Sequence, residues 1–129
     1  MEVSVGLDIG GTNTVIGVVD PDGNILSEKV ISTKDHPVVE DYVESAHQKI
    51  QEALSELEGT ISLKGIGIGA PNGNYYNGTI EQAPNLLWQG VVPLADLFKK
   101  HYDLPVIVTN DANAAAIGEM MFGGAKGMK

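Results

Sequence analysis

The chain has no cysteine, no arginine, few aromatic residues and no long apolar run. Each absence removes a class of protein. Without cysteine, these 129 residues hold no disulfide and no thiolate metal centre. Without arginine, all positive charge comes from eight lysines, set against 17 acidic residues, for a net charge of −9. A nucleic-acid interface needs a basic surface to displace counterions from phosphates, so nucleic acid is not an expected partner. No hydrophobic stretch approaches the roughly 20 residues that span a bilayer. The first residues also lack the basic, apolar and small-residue order of a secretory leader. The expectation is a cytoplasmic protein with no membrane partner. A length of 129 residues at 43% hydrophobic is about one domain, long enough to bury a core.

What the chain does have is glycine, 16 residues of it. The most informative stretch is Asp8-Ile9-Gly10-Gly11-Thr12-Asn13-Thr14-Val15, set between β-prone runs at 3–7 and 15–19. Two readings stand side by side. In one, the adjacent glycines open the backbone, and their N–H groups and the Thr12 and Thr14 hydroxyls form a concave donor surface for a phosphate. Asp8, ending the strand, would then orient a magnesium ion through water. In the other, Gly10-Gly11 is an ordinary hairpin turn. An enzyme that handles a nucleotide triphosphate needs cations near the phosphates. Here Mg²⁺, backbone amides or another part of the protein would have to supply them.

Taken in order, apolar alternation predicts strands over 2–8, 15–20 and 25–32, joined by short turns into an antiparallel meander. Pro37 suits a first helical position. Val39, Val43, Ala46, Ile50, Ala53 and Leu57 then recur at helical spacing, closed by Gly59. Residues 64–70 form a glycine-studded apolar strand, parallel because a helix precedes it. This line is no dinucleotide fingerprint, since Pro71-Asn72 breaks the spacing. Residues 71–88 are polar and turn-rich, with Tyr75-Tyr76 expected to pair with 79–81 across Asn77-Gly78. A short helix over 93–102, a buried strand over 105–109 and an alanine-rich helix over 112–121 complete the order. Three antiparallel strands followed by α-β-α-β-α give an α/β fold with a mixed five-stranded sheet. The histidines at 36, 47 and 101 share no metal-ligand spacing and read as solvated helix or helix-end residues, as Glu119 reads as a surface or interdomain residue.

Four segments, in this order and spacing, resemble the ROK family of sugar kinases and repressors. They are the turn from Asp8 to Thr14, Gly67-Ile68-Gly69-Ala70-Pro71, Asn85-Leu86-Leu87-Trp88, and Asn110-Asp111-Ala112-Asn113. The first is shared with the wider actin-like ATPase superfamily. The resemblance implies a ribonuclease-H-like fold and ATP-dependent transfer of a phosphoryl group to a hexose or N-acetylhexosamine hydroxyl. It implies that Gly10, Gly11, Thr12 and Asn13 contact ATP, with Asp8 near Mg²⁺. Asn110, Asn85, Asn72 and Gly73 would line the sugar site, and Asp111 would be the general base. Read from its residue type alone, Asp111 is an N-cap for the following helix, and the two roles are compatible. Asn72 departs from the commoner family pattern, which has glycine after the proline. Thr14-Val15 departs as well, where the family often has a basic residue.

The resemblance further implies a second lobe beyond residue 129 and a homo-oligomer, a dimer, for the full-length protein. On that view these residues alone would be inactive. A sugar-responsive repressor of the same family and a non-sugar actin-like ATPase are the alternatives.

Overall fold

The computed structural model describes residues 1–74, 77–81, 86–88 and 90–110, with residue 110 described by its backbone only. Strands β1 (Glu2–Ile9), β2 (Asn13–Val19) and β3 (Ile25–Ser32) form the antiparallel meander. Helix α1 (Val39–Ser55) crosses over, and β4 (Ser62–Ala70) returns parallel to β1. A small antiparallel sheet of β5 (Gly73–Asn74), β6 (Thr79–Glu81) and β7 (Val91–Val92) follows. Helix α2 (Leu94–Lys99) then leads to β8 (Val106–Asn110), parallel to β4. The main sheet has the order β3-β2-β1-β4-β8, the expected five-stranded mixed sheet.

Alternation explains why the sheet has two unlike faces. Val3, Val5, Leu7 and Ile9 are buried along β1, with Val5 beside Val18 and Ile66, and Leu7 beside Ile16 and Ile68. Helix α1 packs over β2 and β3 with Tyr42, Val43, Ala46, Ile50 and Ala53 buried, and α2 packs against β8. On the opposite face the same register places Gly6 between Gly17 and Gly67. The Lys-Gly-Ile-Gly-Ile-Gly-Ala run is therefore a strand with isoleucines on one face and almost no side chains on the other.

Several boundaries differ from expectation. Strand β1 runs on to Ile9 and β2 starts at Asn13, so the linking loop shrinks to residues 10–12. Helix α1 starts at Val39, after an extended Val38 that makes no side-chain cap, rather than at Pro37. Glu40 and Asp41 in the first turn compensate, since carboxylates there favour the positive end of the helix dipole. Gly59, at φ +83°, lies beyond the C-cap at Glu56 and turns the chain toward β4. The arm that pairs with β6 is Gly73–Asn74, because Gly78 N–H bonds back to the Asn74 carbonyl. Tyr75 and Tyr76 lie outside the described residues, as does the alanine-rich helix expected over 112–121, with Glu119. Strand β7 had no signal, being two residues long.

Candidate functional site

The sheet register assembles a row. Asp8 of β1 lies beside Gly69 of β4, which lies beside Thr109 of β8, and Ala70 lies beside Asn110. These three strands are parallel, so the row marks their carboxyl ends, where ligands of open α/β sheets bind. The loop 10–12 and the turn that begins at residue 71 leave the sheet at this same edge.

The loop 10–12 is tighter than an open phosphate cradle. Gly10 N–H donates to the Asn13 carbonyl at 2.9 Å, leaving a two-residue tip. Neither Gly10 nor Gly11 takes a left-handed φ. Glycine gives room here, because a Cβ on Gly10 would sit 3.1 Å from the Asn13 oxygen, tighter than an ordinary contact. The tip is tied down from behind, as the Thr12 carbonyl accepts Thr33 N–H at 2.8 Å and Lys34 N–H at 3.3 Å. Lys34 is thereby brought to a turn that lacks a basic residue of its own, which the sequence spacing did not disclose.

Thr14 does not take the expected role. It is fully buried, because β2 places it opposite Ile9 on the core face. Its Oγ1 shares hydrogen bonds with Thr33 Oγ1 at 2.7 Å and Tyr42 OH at 2.8 Å. Burial pushes the Tyr42 hydroxyl well above its ordinary pKa, so it stays neutral. Tyr42 also packs on Trp88, ring centroids 4.5 Å apart, and Trp88 Nε1 donates to the His36 carbonyl at 2.8 Å. Thr12 and Asn13 remain exposed, and Gly11 is partly exposed.

On the other side of the row, Asn72 takes φ +57°. This accounts for the departure from glycine, since asparagine enters the left-handed region more readily than most residues. Gly73 lies flush against β8, where a Cβ would come within 2.4 Å of the Thr109 carbonyl oxygen. The turn is held by Glu81, whose Oε2 accepts Thr79 Oγ1 at 2.8 Å, Asn74 Nδ2 at 3.1 Å and, weakly, Asn77 Nδ2 at 3.5 Å. The Thr79 and Asn77 hydrogen bonds, followed by that of Asn74, lower the Glu81 pKa and keep it ionised. The backbone of Asn110 joins this side of the row, while Asn85 and Asp111 lie outside the described residues. Leu86 and Trp88, which follow position 85 in sequence, are both buried.

His101 is an exposed residue just past the end of α2, as expected, while His36 and His47 are part-buried and hydrogen-bonded rather than solvated. His47 and His101 stack with centroids 4.4 Å apart, and His47 Nδ1 bonds Tyr102 OH at 2.7 Å. His36 Nδ1 bonds the Ser32 carbonyl at 2.7 Å. The helical period hid this, because His47 and His101 come from different helical segments that only the packing of α1 on α2 brings together.

Asp8 is a partly exposed carboxylate with the side-chain-free Gly69 beside it, which suits a hard cation held mostly by water and phosphate. Among the described residues no three His, Cys, Asp or Glu side chains converge as a metal cage. No described helix is long and apolar enough to cross a membrane.

A β3-β2-β1-β4-β8 mixed sheet, with a glycine turn after β1, defines a ribonuclease-H-like fold of the actin-like ATPase class. The ROK family sequence profile matches residues 4–129. The chain is 40% identical over 128 residues to a glucokinase of Streptomyces coelicolor, covering 98% of the chain and 38% of that relative. It is 32% identical to a xylose repressor of Caldicellulosiruptor bescii, covering 92% of the chain and 30% of the repressor. Among solved structures, a ROK glucokinase of Streptomyces griseus, in complex with glucose and AMPPNP, matches with a TM-score of 0.73 at 37% identity, over 97% of this chain and 38% of that one. A polyphosphate/ATP-glucomannokinase of Arthrobacter matches with a TM-score of 0.71 at 27% identity, over 100% of this chain and 52% of that one. The chain belongs to the ROK family. It spans 38% of the length of the Streptomyces and Thermotoga glucokinases it matches.

Proposed function

We propose that this chain is the N-terminal lobe of a two-lobe kinase that transfers the γ-phosphoryl group of ATP to a hexose hydroxyl. The observation that carries this reading is the row at the carboxyl ends of β1, β4 and β8. It joins the glycine turn on one side to Asn72, Gly73 and Asn110 on the other. Phosphoryl transfer is mostly positioning and charge stabilisation, so the two halves must meet at one edge.

In this reading Gly11, Thr12 and Asn13 meet the phosphates, and Gly10 keeps the approach open while its own amide closes the turn. Asp8 orients Mg²⁺ through water, and the ion offsets phosphate charge when bound. Asn72, Gly73, Asn85 and Asn110 contact the sugar. Asp111 follows directly on β8 and takes the proton of the attacking hydroxyl. The similarity to glucokinases supports glucose as acceptor, and N-acetylhexosamines remain in the same chemical class. The acidic chain, with no membrane-crossing helix among its described residues, fits a cytoplasmic enzyme, and the full-length protein is proposed to act as a dimer. The C-terminal lobe closes over the substrate and excludes water.

The test is a coupled ADP-release assay on the two-lobe protein with glucose, fructose, N-acetylglucosamine and N-acetylmannosamine. One sugar is expected to drive ADP release. Asp111→Asn is expected to lower kcat by roughly 10²–10⁴-fold with sugar binding retained. The 129 residues alone are expected to release no ADP. The identity to a xylose repressor supports a second reading, a sugar-responsive regulator. Sugar binding without ADP release from the two-lobe protein selects it.

A further inference from the structure

Glu81 makes more contacts across the turn 72–78 than its place on a three-residue strand requires. Its backbone N–H donates to the Asn72 carbonyl at 3.1 Å, and its own carbonyl accepts Asn72 Nδ2 at 3.0 Å. Its carboxylate reaches the other way. Oε2 accepts from Thr79, Asn74 and Asn77, while Asn74 Oδ1 accepts Asn77 N–H at 3.1 Å. One residue therefore grips both ends of the turn. The ladder beneath it has only the pairs Gly73–Ile80 and Asn74–Thr79, too short to fix a hairpin unaided. Hydrogen bonds to an ionised carboxylate are stronger than neutral ones, and here they replace ladder length.

The turn is also held from outside. Gly73 abuts Thr109, and the Gly78 carbonyl accepts Ala95 N–H at 2.9 Å from the start of α2. Between these fixed points, Asn72 at its left-handed φ and Gly73 present their backbone at the carboxyl end of β8. A small drift of this segment changes its spacing from the strand end at Asn110, the residue that Asp111 follows in sequence. The glycine turn after β1 is held by its own hydrogen bonds, through Thr12, Thr33, Thr14 and Tyr42.

We infer that Glu81 is a positioning residue for the acceptor sugar. Its carboxylate holds residues 72–74 against β8 and so sets sugar affinity, leaving nucleotide affinity to the other end of the row. This inference rests on the reading of that edge as a sugar site.

The test compares Glu81→Ala, Glu81→Gln and Glu81→Asp in the two-lobe protein, by steady-state kinetics and by calorimetric titration of each hexose. Alanine is expected to raise the sugar KM and Kd about tenfold, with the ATP KM within twofold of wild type and kcat changed less than the sugar KM. Glutamine keeps length and one acceptor oxygen, and is expected to recover most of the affinity. Aspartate keeps the charge, lacks the reach to the same donors, and is expected to behave nearer to alanine. A merely structural role would lower the active fraction and leave the sugar KM unchanged. An unchanged sugar Kd in Glu81→Ala, or an ATP KM that rises in step, overturns the inference while the sugar site stands. Wild-type protein that binds no sugar of the panel overturns the sugar site and this inference with it. Should the alanine variant fail to fold, the glutamine–aspartate contrast in sugar Kd decides, and equal values overturn it.

Discussion

The Tyr42 hydroxyl and Thr14 Oγ1 lie 2.8 Å apart in the fully buried layer between α1 and β2. Thr33 Oγ1 completes a three-hydroxyl chain, and the backbone N–H groups of Thr33 itself and of Lys34 hold the tip of the glycine turn. A group expected to face phosphate thus braces the turn from below.

That brace has a measurable size. Tyr42→Phe removes one hydroxyl and leaves Thr14 bonded to Thr33, so it is expected to cost about 1 kcal/mol. Thr14→Val strands two buried hydroxyls and is expected to cost about 2–3 kcal/mol. Urea unfolding of both variants checks the order, and an equal loss in the two would remove Thr14 from the centre of the chain of bonds.

Gly73→Ala introduces a Cβ against backbone, 2.4 Å from the Thr109 oxygen and 2.8 Å from its carbonyl carbon. No side-chain rotation relieves this, so β5 must move away from β8. The expected loss is about 1–3 kcal/mol of stability, as for other overpacked sites. The sugar KM is expected to rise more than the ATP KM. Thermal melts and kinetics on the two-lobe protein measure both.

Lys34 N–H bonds the Thr12 carbonyl, and no arginine exists anywhere in the chain to neutralise phosphate. Lys34→Ala is expected to raise the ATP KM by about 3–10-fold, about 1 kcal/mol of exposed electrostatics, without altering the sugar KM. The effect should shrink with added salt. Unchanged ATP kinetics at low salt would assign the charge to another part of the protein.

The His47–His101 stack gives a pH dependence whose sign is fixed. Desolvation, then the neighbouring His101, lower the His47 pKa below its ordinary 6.5. The unfolded chain therefore binds the proton more readily than the folded one, so stability is retained above about pH 6.5 and falls as pH drops below it. The nearby Glu44, which faces His101 at 3.7 Å, opposes part of this shift. Tm measured from pH 7.5 to 5.5 is expected to fall, and to fall less in His101→Gln. A flat profile in the wild type would refute the contribution of the stack.

Much of this was legible from residues. Alternation in β1 and the isoleucine–glycine repeat of β4 specify buried strands, and the apolar period after Pro37 specifies α1, because each pattern reports one local face. What failed was set by partners distant in sequence. Thr14 looks like a phosphate donor until the register puts it opposite Ile9. The glycines at 10 and 11 look conformationally special, yet neither takes a left-handed φ, and at Gly10 the constraint is the nearby Asn13 carbonyl. Glu81 is expected only as part of the hairpin arm 79–81, and although its donors Asn74, Asn77 and Thr79 are near in sequence, no periodicity reveals that they converge on its carboxylate. Asn72 shows the reverse case, where a departure from family pattern becomes intelligible through one backbone angle.

Strand β1 precedes the other four strands of the main sheet in the chain and is its middle strand. Glu2 pairs with Ser62, while its other neighbour, β2, follows after a short turn. During synthesis at roughly 5–20 residues per second, one edge of β1 therefore waits on the order of 3–12 seconds for its second partner. Throughout that interval the nascent chain carries an apolar strand open to pairing with other chains. Slow codons placed between positions 20 and 60 would lengthen this exposure, and fast ones would shorten it. Yield of soluble protein should therefore depend on the pace of translation across α1, the helix whose Tyr42 braces the glycine turn through Thr14.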